Sequence, residues 1–326
     1  MKKIMVTGVG AIIGYGILRS LNHLRPSVEL VGTDIYPDAV GQIWCDRFEM
    51  APLTSDPSYL DWLSSIVTKH SINFLIPGIE QDLYFLSDQR DILNSWGITV
   101  LLNTKDLVDL SRDKWLMYQK LVGYEQEISI PSYLSGNFES LSSCLGLPFI
   151  LKPRRGYASK GLVRINHKED FQKNASLLGE HFLAQPVVGK DEEEYTVGIF
   201  GDGKGNSCAS IVFRRRLATD GSTAKAWVEN QIHEDLNQVI SRLCSYFKPL
   251  GPTNLQFRKN QKEWKLLEIN PRISSSTSIR CAFGYNESLM ALHFFMNNIT
   301  ISQPKIRKGF AVRFIEDHII YDRHSF

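Results

Sequence analysis

Residues 251–280 contain the feature that most constrains the fold, an apolar block that ends in a carboxylate and an amide. Two stretches of alternating apolar and polar residues, NLQFRK and WKLLEI, flank a polar turn, and this pattern predicts a β-hairpin. Side chains alternate between faces along a strand, so Glu268 and Asn270 share one face. Leu267 and Ile269 are predicted to point the other way, into a core. Burying a carboxylate and an amide at this place is costly unless something binds them.

The polar face of this hairpin has the composition of a metal site. Gln256 on the first strand is predicted to join Glu268 and Asn270, and together they offer three side-chain oxygens. Magnesium takes oxygen ligands and leaves the rest of its shell to phosphate and water. Arg272 follows just beyond, and an arginine holds phosphate through a paired fork of hydrogen bonds. A wet amphipathic hairpin would explain any one of these residues, but not the whole block.

Length and charge bound the class of protein. The chain has 326 residues, of which 43% are hydrophobic, enough for a large core and for two or three domains. Its 37 Lys and Arg balance 35 Asp and Glu, and the net charge is +2 without a basic block. This distribution argues against a nucleic-acid partner, because a long basic stripe is missing from the sequence.

The cysteines and the N-terminus predict a reduced, cytoplasmic setting. Five cysteines are scattered without a C-x-x-C pair, which is typical of free thiols in the cytosol. The apolar run after Met-Lys-Lys is interrupted by glycines and lacks a cleavage site, so we expect a strand, a turn and a helix rather than a signal peptide. No stretch reaches the roughly 18 apolar residues of a membrane helix, and we expect no membrane contact.

The first third of the chain predicts a doubly wound α/β unit. KKIMVTGVGAIIGYGILRSLNHL has the pattern of a buried strand, a glycine turn and a helix, and VELVGTDI that of the next strand. The glycines loosely match a dinucleotide fingerprint, with Asp34 where a ribose-binding acid would lie. A glycine-rich turn also serves close packing between strand and helix, so this signal alone is weak.

A dehydrogenase or epimerase that uses NAD is the alternative suggested by this glycine turn. Enzymes of the extended short-chain type need a tyrosine followed four residues later by a lysine. Tyr157 and Lys160 are three residues apart, and we find no suitable pair. The missing pair and the hairpin described above disfavour this alternative.

Glu80 is a candidate substrate-binding residue. FLIPGIEQD places Glu80 and Asp82 just past the carboxyl end of a predicted parallel strand, the edge at which open α/β sheets bind ligands. Acidic residues at the start of a helix also interact well with its dipole, and the sequence does not decide between these two explanations.

The middle of the chain predicts a phosphate site. Lys114 lies in the first turn of a helix that Ser111 or Asp113 can cap, an unfavourable place for a cation unless an anion is near. Lys152 ends the apolar strand before a loop over residues 154–161. This loop combines glycines, cations and backbone donors and can fold over a phosphate, whereas in isolation it would be a basic hairpin turn.

Taken in order, Asp113-Lys114, Lys152 with its loop, and Glu268-x-Asn270-x-Arg272 resemble the ATP-grasp superfamily, in particular the group similar to the carbamoyl phosphate synthetase large subunit. The resemblance covers about residues 105–298 by motif and the preceding third by domain order. It implies a fold of the α/β class (α+β in the ATP-grasp part).

The same resemblance implies three domains. An N-terminal doubly wound parallel-sheet domain, the pre-ATP-grasp domain, is expected at 1–104. A first ATP-grasp subdomain with the phosphate loop is expected at 105–184, and a second with the metal-binding hairpin and a C-terminal strand at 185–326.

Site residues carry over from the family by position. Two family lysines that contact nucleotide phosphates match Lys114 and Lys152, and the loop contributes Gly156 and Ser159. The remaining matches are Gln185 and Val187 at the adenine hinge, Glu194 at the ribose, Gln256, Glu268 and Asn270 at the metal, and Arg272 and Asn270 at the transferred phosphate.

Departures from the family pattern concern mainly the substrate. Bulky Tyr157 lies in the loop, Gln185 stands where an acid is frequent, and ISSSTS follows Arg272 in place of a glycine pair. The ATP site is intact despite these differences, whereas the segment that includes Ser275 becomes the candidate for substrate choice.

The resemblance implies an ATP-dependent carboxylate–amine ligase that works through an acyl phosphate and releases ADP and phosphate. ATP and Mg²⁺ are the expected cofactors, with Mn²⁺ as an alternative ion, and the partners are a small-molecule carboxylate and amine; a homodimer is compatible with it. Of three consecutive arginines, 214–216, only one or two can face the acceptor, and Arg215 is our candidate. A nucleotide-binding or regulatory module that has lost ligation is the alternative from another class.

Overall fold

The computed structural model describes residues 1–156, 161–190, 194–218, 221–229, 234–260 and 263–319. The strands are β1 (Lys2–Thr7), β2 (Val28–Asp34), β3 (Arg47–Met50), β4 (Phe74–Ile76), β5 (Thr99–Val100), β6 (Phe149–Pro153), β7 (Val163–Ile165), β8 (Phe182–Pro186), β9 (Glu194–Asp202), β10 (Ser207–Leu217), β11 (Thr223–Val228), β12 (Leu250–Asn260), β13 (Glu263–Asn270) and β14 (Phe310–Val312). The α-helices are α1 (Ile12–Leu21), α2 (Tyr59–His70), α3 (Glu80–Asp88), α4 (Arg90–Ser95), α5 (Lys105–Ser111), α6 (Lys114–Val122), α7 (Phe138–Leu145), α8 (Lys168–Asn174), α9 (Glu234–Phe247), α10 (Thr277–Ala282) and α11 (Glu287–Asn297).

The first sheet is parallel and has the strand order β3-β2-β1-β4-β5. The predicted strand, glycine turn and helix are confirmed as β1 and α1. A Cβ at Gly14 would lie 2.2 Å from the carbonyl oxygen of Gly8, so the helix can approach the turn this closely only with a glycine there. The glycine pattern that resembled a dinucleotide fingerprint therefore has a packing explanation.

A small antiparallel sheet follows, with the order β7-β6-β8. Helices α7 and α8 cover one side of it through an aromatic cluster of Phe138, Phe149 and Phe171, whose ring centroids lie 6.1–6.4 Å apart. Burial of these rings fixes the strand that carries Lys152 at its end, because Phe149 at the start of β6 is fully buried.

The third sheet has the order β13-β12-β9-β10-β11-β14, and the pairings within it are antiparallel. Alternate residues of β9 separate its two faces: Val197 and Ile199 pack with α9, as the amphipathic pattern of that helix predicts, while Phe200 packs with α11. Glu194 and Thr196 lie on the face of Phe200. This face therefore carries both the packing of α11 and a row of polar side chains.

The predicted hairpin of residues 251–280 is confirmed as β12 and β13, with one correction to its side-chain directions. Gln256 pairs with Glu268, but Phe257 pairs with Leu266, so a bulge leaves Leu267 without a partner in the ladder. Leu266 is 5% exposed in the core, whereas Leu267 lines the cleft described below. The prediction that Leu267 points into the core is wrong, because the bulge shifts the alternation by one residue.

The C-terminal segment forms less strand than predicted. Within GFAVRFIEDHII only Phe310–Val312 pairs, as β14 along the outer edge of β11. Ile320 lies outside the described residues, as do Gln261 and Lys262 of the predicted hairpin turn. In the part of the chain that the structure describes, no helix has the length and apolar character needed to cross a bilayer.

Candidate active site

One large cleft of about 1490 Å³ opens between the three sheets. It receives the predicted site residues that fall in the described ranges: Glu80, Lys114, Lys152, Gly156, Gln185, Val187, Glu194, Arg215, Gln256, Glu268, Asn270, Arg272 and Ser275. Ser159 lies outside the described residues. Residues as far apart in the sequence as Glu80 and Ser275 thus meet around one space, although their individual roles stay predictions.

Lys114 begins α6 and extends toward the metal strand. Asp113 caps this helix, since its carboxylate accepts a 2.9 Å hydrogen bond from the backbone N–H of Trp115. The Lys114 ammonium donates to the Gly156 carbonyl at 2.8 Å and lies 3.8 Å from the Glu268 carboxylate. The anion that its unfavourable place in the helix requires is therefore present as Glu268.

Asp113 also fixes the loop after β6. Arg154 donates to both carboxylate oxygens, at 2.8 Å from Nη2 and 3.2 Å from Nε. Burial alone would raise the pKa of Asp113, but the hydrogen bonds and charge of Arg154 outweigh it and hold this pKa below its usual value. The start of α6 and the loop that contains Gly156 are consequently held together by an ionised carboxylate.

Lys152 lies at the junction of the phosphate loop and the metal strand. Burial, with a smaller contribution from the neighbouring Lys114, lowers the pKa of Lys152 to about 8, although the attraction of Glu268 opposes this shift. A lysine with too little negative charge around it gains most from an added anion. The environment of Lys152 thus favours binding of a phosphate group.

The predicted hinge lies on β8 and just after it. The Gln185 side chain donates from Nε2 to the Ser132 hydroxyl at 2.8 Å, which ties it to the chain before α7. Val187 follows the strand, is 37% exposed and lines the cleft. The side-chain nitrogen of Gln185 is therefore already engaged within the fold, and the adenine role of this segment stays a prediction.

The predicted metal ligands lie on two adjacent strands. Gln256 stands opposite Glu268 in the β12–β13 ladder, and Asn270 ends β13 beside them. Glu268 keeps 24% of its side chain exposed to the cleft, and its nearest described cation is Lys114 at 3.8 Å. One carboxylate and two amide oxygens that converge on a cleft fit the preference of Mg²⁺ for hard oxygen ligands.

Arg272 and Glu80 meet at the end of the cleft next to the parallel sheet. The guanidinium donates to the Glu80 carboxylate at 3.1 Å from Nε and through a second, shorter contact from Nη2. Nη2 also lies 3.4 Å from the Asn270 side-chain oxygen. The structure thus brings the residue predicted to hold transferred phosphate to the residue predicted to contact substrate.

Glu194 has arginine partners on both of its oxygens. Arg215 donates to Oε1 at 2.7 and 3.1 Å, and Arg258 donates to Oε2 at 3.3 Å. Glu194 and Arg215 are 3% and 4% exposed, so this is a buried ion pair at the cleft wall. The ribose role of Glu194 stays a prediction, and its carboxylate already serves to hold two cations.

The three consecutive arginines separate as strand alternation requires. Arg215 faces the cleft, while Arg214 pairs with Glu229 at 3.2 Å and lies over the Trp227 ring. Arg216 is exposed. Of the three, Arg215 is therefore the one placed for contact with a ligand.

Two acidic residues of the cleft have partners that the sequence does not show. Asp34 lies at a predicted ribose-binding position, yet its carboxylate accepts from the backbone N–H of Gly10 at 2.7 Å and of Tyr36 at 3.1 Å. Asp82 is 3% exposed and accepts a 2.5 Å hydrogen bond from the Thr54 hydroxyl, and burial raises its pKa. The sequence shows only that each of these acids lies near the end of a strand. It does not show their hydrogen-bond partners, which are mostly distant in sequence.

Family comparisons identify both halves of the architecture. Residues 180–318 match the family described as ATP-grasp in the biosynthetic pathway with Ter operon, and residues 4–101 match the PylC-like N-terminal domain. The chain therefore contains an ATP-grasp domain and, before it, a PylC-like N-terminal domain. The resemblance and the fold class predicted from the sequence are confirmed.

Curated relatives of this ATP-grasp protein include carbamoyl phosphate synthase large chains. That of Pseudothermotoga lettingae is 25% identical over 198 residues, covering 56% of this chain and 18% of the relative. That of Methanosarcina barkeri is 21% identical over 345 residues, covering 93% and 31%. The chain thus spans less than a third of the length of these relatives.

Solved structures share the fold over most of the chain. The N5-carboxyaminoimidazole synthetase from Staphylococcus aureus complexed with ADP has a TM-score of 0.71 and 18% identity, covering 94% of this chain and 80% of that one. The L-amino acid ligase from Bacillus licheniformis has a TM-score of 0.67 and 14% identity, covering 90% and 74%.

Proposed function

We propose that this ATP-grasp protein is an ATP-dependent ligase that joins a carboxylate to an amine through an acyl phosphate. The observation that carries the proposal is the convergence of three oxygen donors, two lysines and Arg272 on one cleft. The names of related proteins support it, since they include an L-amino acid ligase and a D-alanine–D-alanine ligase.

The nucleotide phosphates are assigned to the lysine end of the cleft. Lys114 and Lys152 neutralise the charge of the phosphates. Gly156 and Ser159 are assigned to the loop that covers these phosphates. Gln256, Glu268 and Asn270 would hold Mg²⁺, which when bound would supply positive charge that offsets the charge of the phosphate oxygens. Phosphoryl transfer needs mainly this positioning and neutralisation, so the scatter of cysteines and histidines is no obstacle.

The adenosine is assigned to the hinge and the neighbouring wall. Backbone groups of Gln185 and Val187 face the adenine, and Glu194 lies at the ribose. β8 spans the boundary that we place between residues 184 and 185, so it forms the hinge shared by the two ATP-grasp subdomains, 105–184 and 185–326. Residues 1–104 form the domain before them.

The reaction has two balanced steps. A carboxylate oxygen of the substrate forms a bond to the γ-phosphorus while the bond from that phosphorus to the β-γ bridging oxygen breaks, and ADP leaves with the electron pair. An amine nitrogen then bonds to the acyl carbon, phosphate leaves with the C–O electron pair, and the nitrogen loses a proton. Arg272 contacts the transferred phosphoryl oxygens, with Arg215 close to the same wall.

The substrates are assigned to the part of the cleft next to the parallel sheet. Glu80, at the start of α3, and Ser275, in the segment before α10, line this part of the cleft. We expect the substrates that bind in this part of the cleft to be small-molecule acids and amines.

A screen for phosphate release tests the proposal. The protein is incubated with Mg-ATP and a panel of paired acids and amines, and products are analysed by mass. Phosphate release that requires both an acid and an amine, with a product lighter by one water than their sum, is expected. Mg-ATP binding without release across the panel would instead support a nucleotide-binding module without ligation.

A further inference from the structure

A buried ion pair lies directly beside the metal-binding strands. Arg280 of α10 and Glu287 of α11 are both fully buried, with Nη1 of the arginine 3.1 Å from the glutamate. The guanidinium lies over Gly198 of β9, where an added Cβ would be 2.7 Å from the guanidinium carbon. A glycine in the centre of this strand thus leaves room for an arginine, which indicates that the arginine has a specific task.

The second terminal nitrogen of the Arg280 guanidinium, Nη2, fixes the side-chain amide of Asn254 at the wall of the cleft. This nitrogen donates to the side-chain oxygen of Asn254 at 2.5 Å, and the Thr196 hydroxyl donates to the same oxygen at 2.6 Å. A flipped amide would set its NH₂ against the guanidinium, which cannot accept a hydrogen bond, so Arg280 determines the orientation of Asn254. The NH₂ end of Asn254 is therefore the end turned away from Arg280.

That NH₂ end belongs to a pair of unused donors. Among the described residues none accepts a hydrogen bond from Nδ2 of Asn254, which lines the cleft. Asn270 stands opposite it in the β12–β13 ladder, which sets the two Cβ atoms about 5 Å apart. Nδ2 of Asn270 is buried and likewise has no acceptor in the described part of the chain.

A buried donor without an acceptor is rare in folded proteins and indicates a missing partner, and Nδ2 of Asn270 is such a donor. Asn254 presents its oxygen to Arg280, and Asn270 presents its oxygen to Arg272 with a second lone pair left for the proposed metal. Each amide is left with its N–H groups. The missing partner must accept hydrogen bonds, and beside Arg272 an anionic oxygen is favoured.

We propose that Asn254 and Asn270 donate to an oxygen of the phosphoryl group in transfer, and that Arg280 is the positioning residue that aims Asn254. This inference rests on the proposed function and adds two residues to its site. Donors fixed before the reaction stabilise developing charge without reorganisation, and one such donor contributes about 100-fold in rate in other enzymes.

Binding of inorganic phosphate to the protein saturated with Mg-ADP tests the inference by calorimetry. Asn254→Asp keeps the oxygen for Arg280 but replaces the donor, and Asn254→Ala removes the donor without adding charge. Both variants are expected to lower the affinity for inorganic phosphate at least about tenfold. Their affinity for Mg-ADP is expected to change less than threefold. Glu263→Gln, an exposed change on β13 outside this network, is expected to bind phosphate within threefold of the wild type.

Arg280→Met and Arg280→Lys test the positioning role with the same measurement. We expect Arg280→Met to lose phosphate affinity as Asn254→Ala does, and Arg280→Lys to recover part of it. A lower melting temperature with unchanged phosphate affinity would make Arg280 merely structural and overturn its role.

The outcomes separate this inference from the proposed function. A wild type that binds Mg-ADP but not phosphate, or an Asn254→Asp variant that binds phosphate normally, overturns the inference alone. A wild type that does not bind Mg-ADP overturns the proposed function, and the inference falls with it.

Discussion

The Arg272 guanidinium donates to the Glu80 carboxylate, 192 residues earlier in the chain, and so connects the metal-binding hairpin to the edge of the parallel sheet. The two side chains are 15% and 14% exposed, so solvent screens their interaction only in part. Because Arg272 also contacts Asn270, the proposed phosphate end and the proposed substrate end of the cleft share one network.

A double-mutant cycle with Glu80→Gln and Arg272→Lys tests this connection. We expect the two residues to couple by about 1–3 kcal/mol in the free energy of unfolding, because contacting residues in one hydrogen-bond network are not additive. Denaturant unfolding of the wild type, both single variants and the double variant measures the coupling. A coupling energy within error of zero would show that the contact carries no energy.

Glu268→Gln is expected to lower Mg-ATP turnover about 100-fold while leaving the melting temperature unchanged. Glu268 is the one carboxylate we place among the metal ligands, whereas its loss costs the fold only a 3.8 Å ion pair with Lys114. Glu263→Gln, on the same strand with 67% of the side chain exposed, is the matched control and should retain turnover. Equal turnover in both variants would exclude the metal assignment.

The affinity for Mg-ATP should fall as the pH rises above about 8, where Lys152 loses its proton. The bound phosphate raises the pKa of Lys152 in the complex. Above pH 8 the free protein must therefore take up a proton when Mg-ATP binds, so the affinity for Mg-ATP is full below pH 8 and is lost as the pH rises above it. One unit above the free pKa the affinity should be lower by about tenfold. Calorimetry between pH 7.5 and 9.5, in buffers of different ionisation enthalpy, measures both effects. Lys152→Gln should bind weakly with this pH dependence removed.

Arg215→Ala should destabilise the protein by about 3 kcal/mol, because it leaves the buried Glu194 carboxylate with one partner fewer. Arg214→Ala is the control from the same strand, since its pair with Glu229 is 43% exposed on the arginine side and contributes below about 1 kcal/mol. Chemical denaturation compares the two. Similar losses would contradict the description of Arg215 as part of a buried pair.

Local patterns predicted much of the fold and of the metal hairpin. The spacing of Glu268 and Asn270 on one strand, and of Lys114 just after its capping residue, follows from rules that act over a few residues. The bulge that turns Leu267 into the cleft depends on register with the neighbouring strand, and sequence alternation alone does not show it.

Partners distant in sequence account for what prediction missed. Glu287 and Asn254 surround Arg280 only after α10, α11 and β12 have packed, and the sequence around Arg280 carries no sign of this. Asp34 matched a ribose-binding position, yet its backbone partners Gly10 and Tyr36 show that it holds the glycine turn. Such roles are set by tertiary contacts rather than by local pattern.

Transfer of oxygen from substrate to phosphate tests the central claim most directly. With an acid and an amine identified by the phosphate-release screen, the carboxylate is labelled with ¹⁸O and the released phosphate is analysed by mass. Ligation through an acyl phosphate predicts one ¹⁸O atom in each phosphate released and none in Glu268→Gln beyond its residual turnover. Phosphate without ¹⁸O, formed at the same rate as product, would contradict the account.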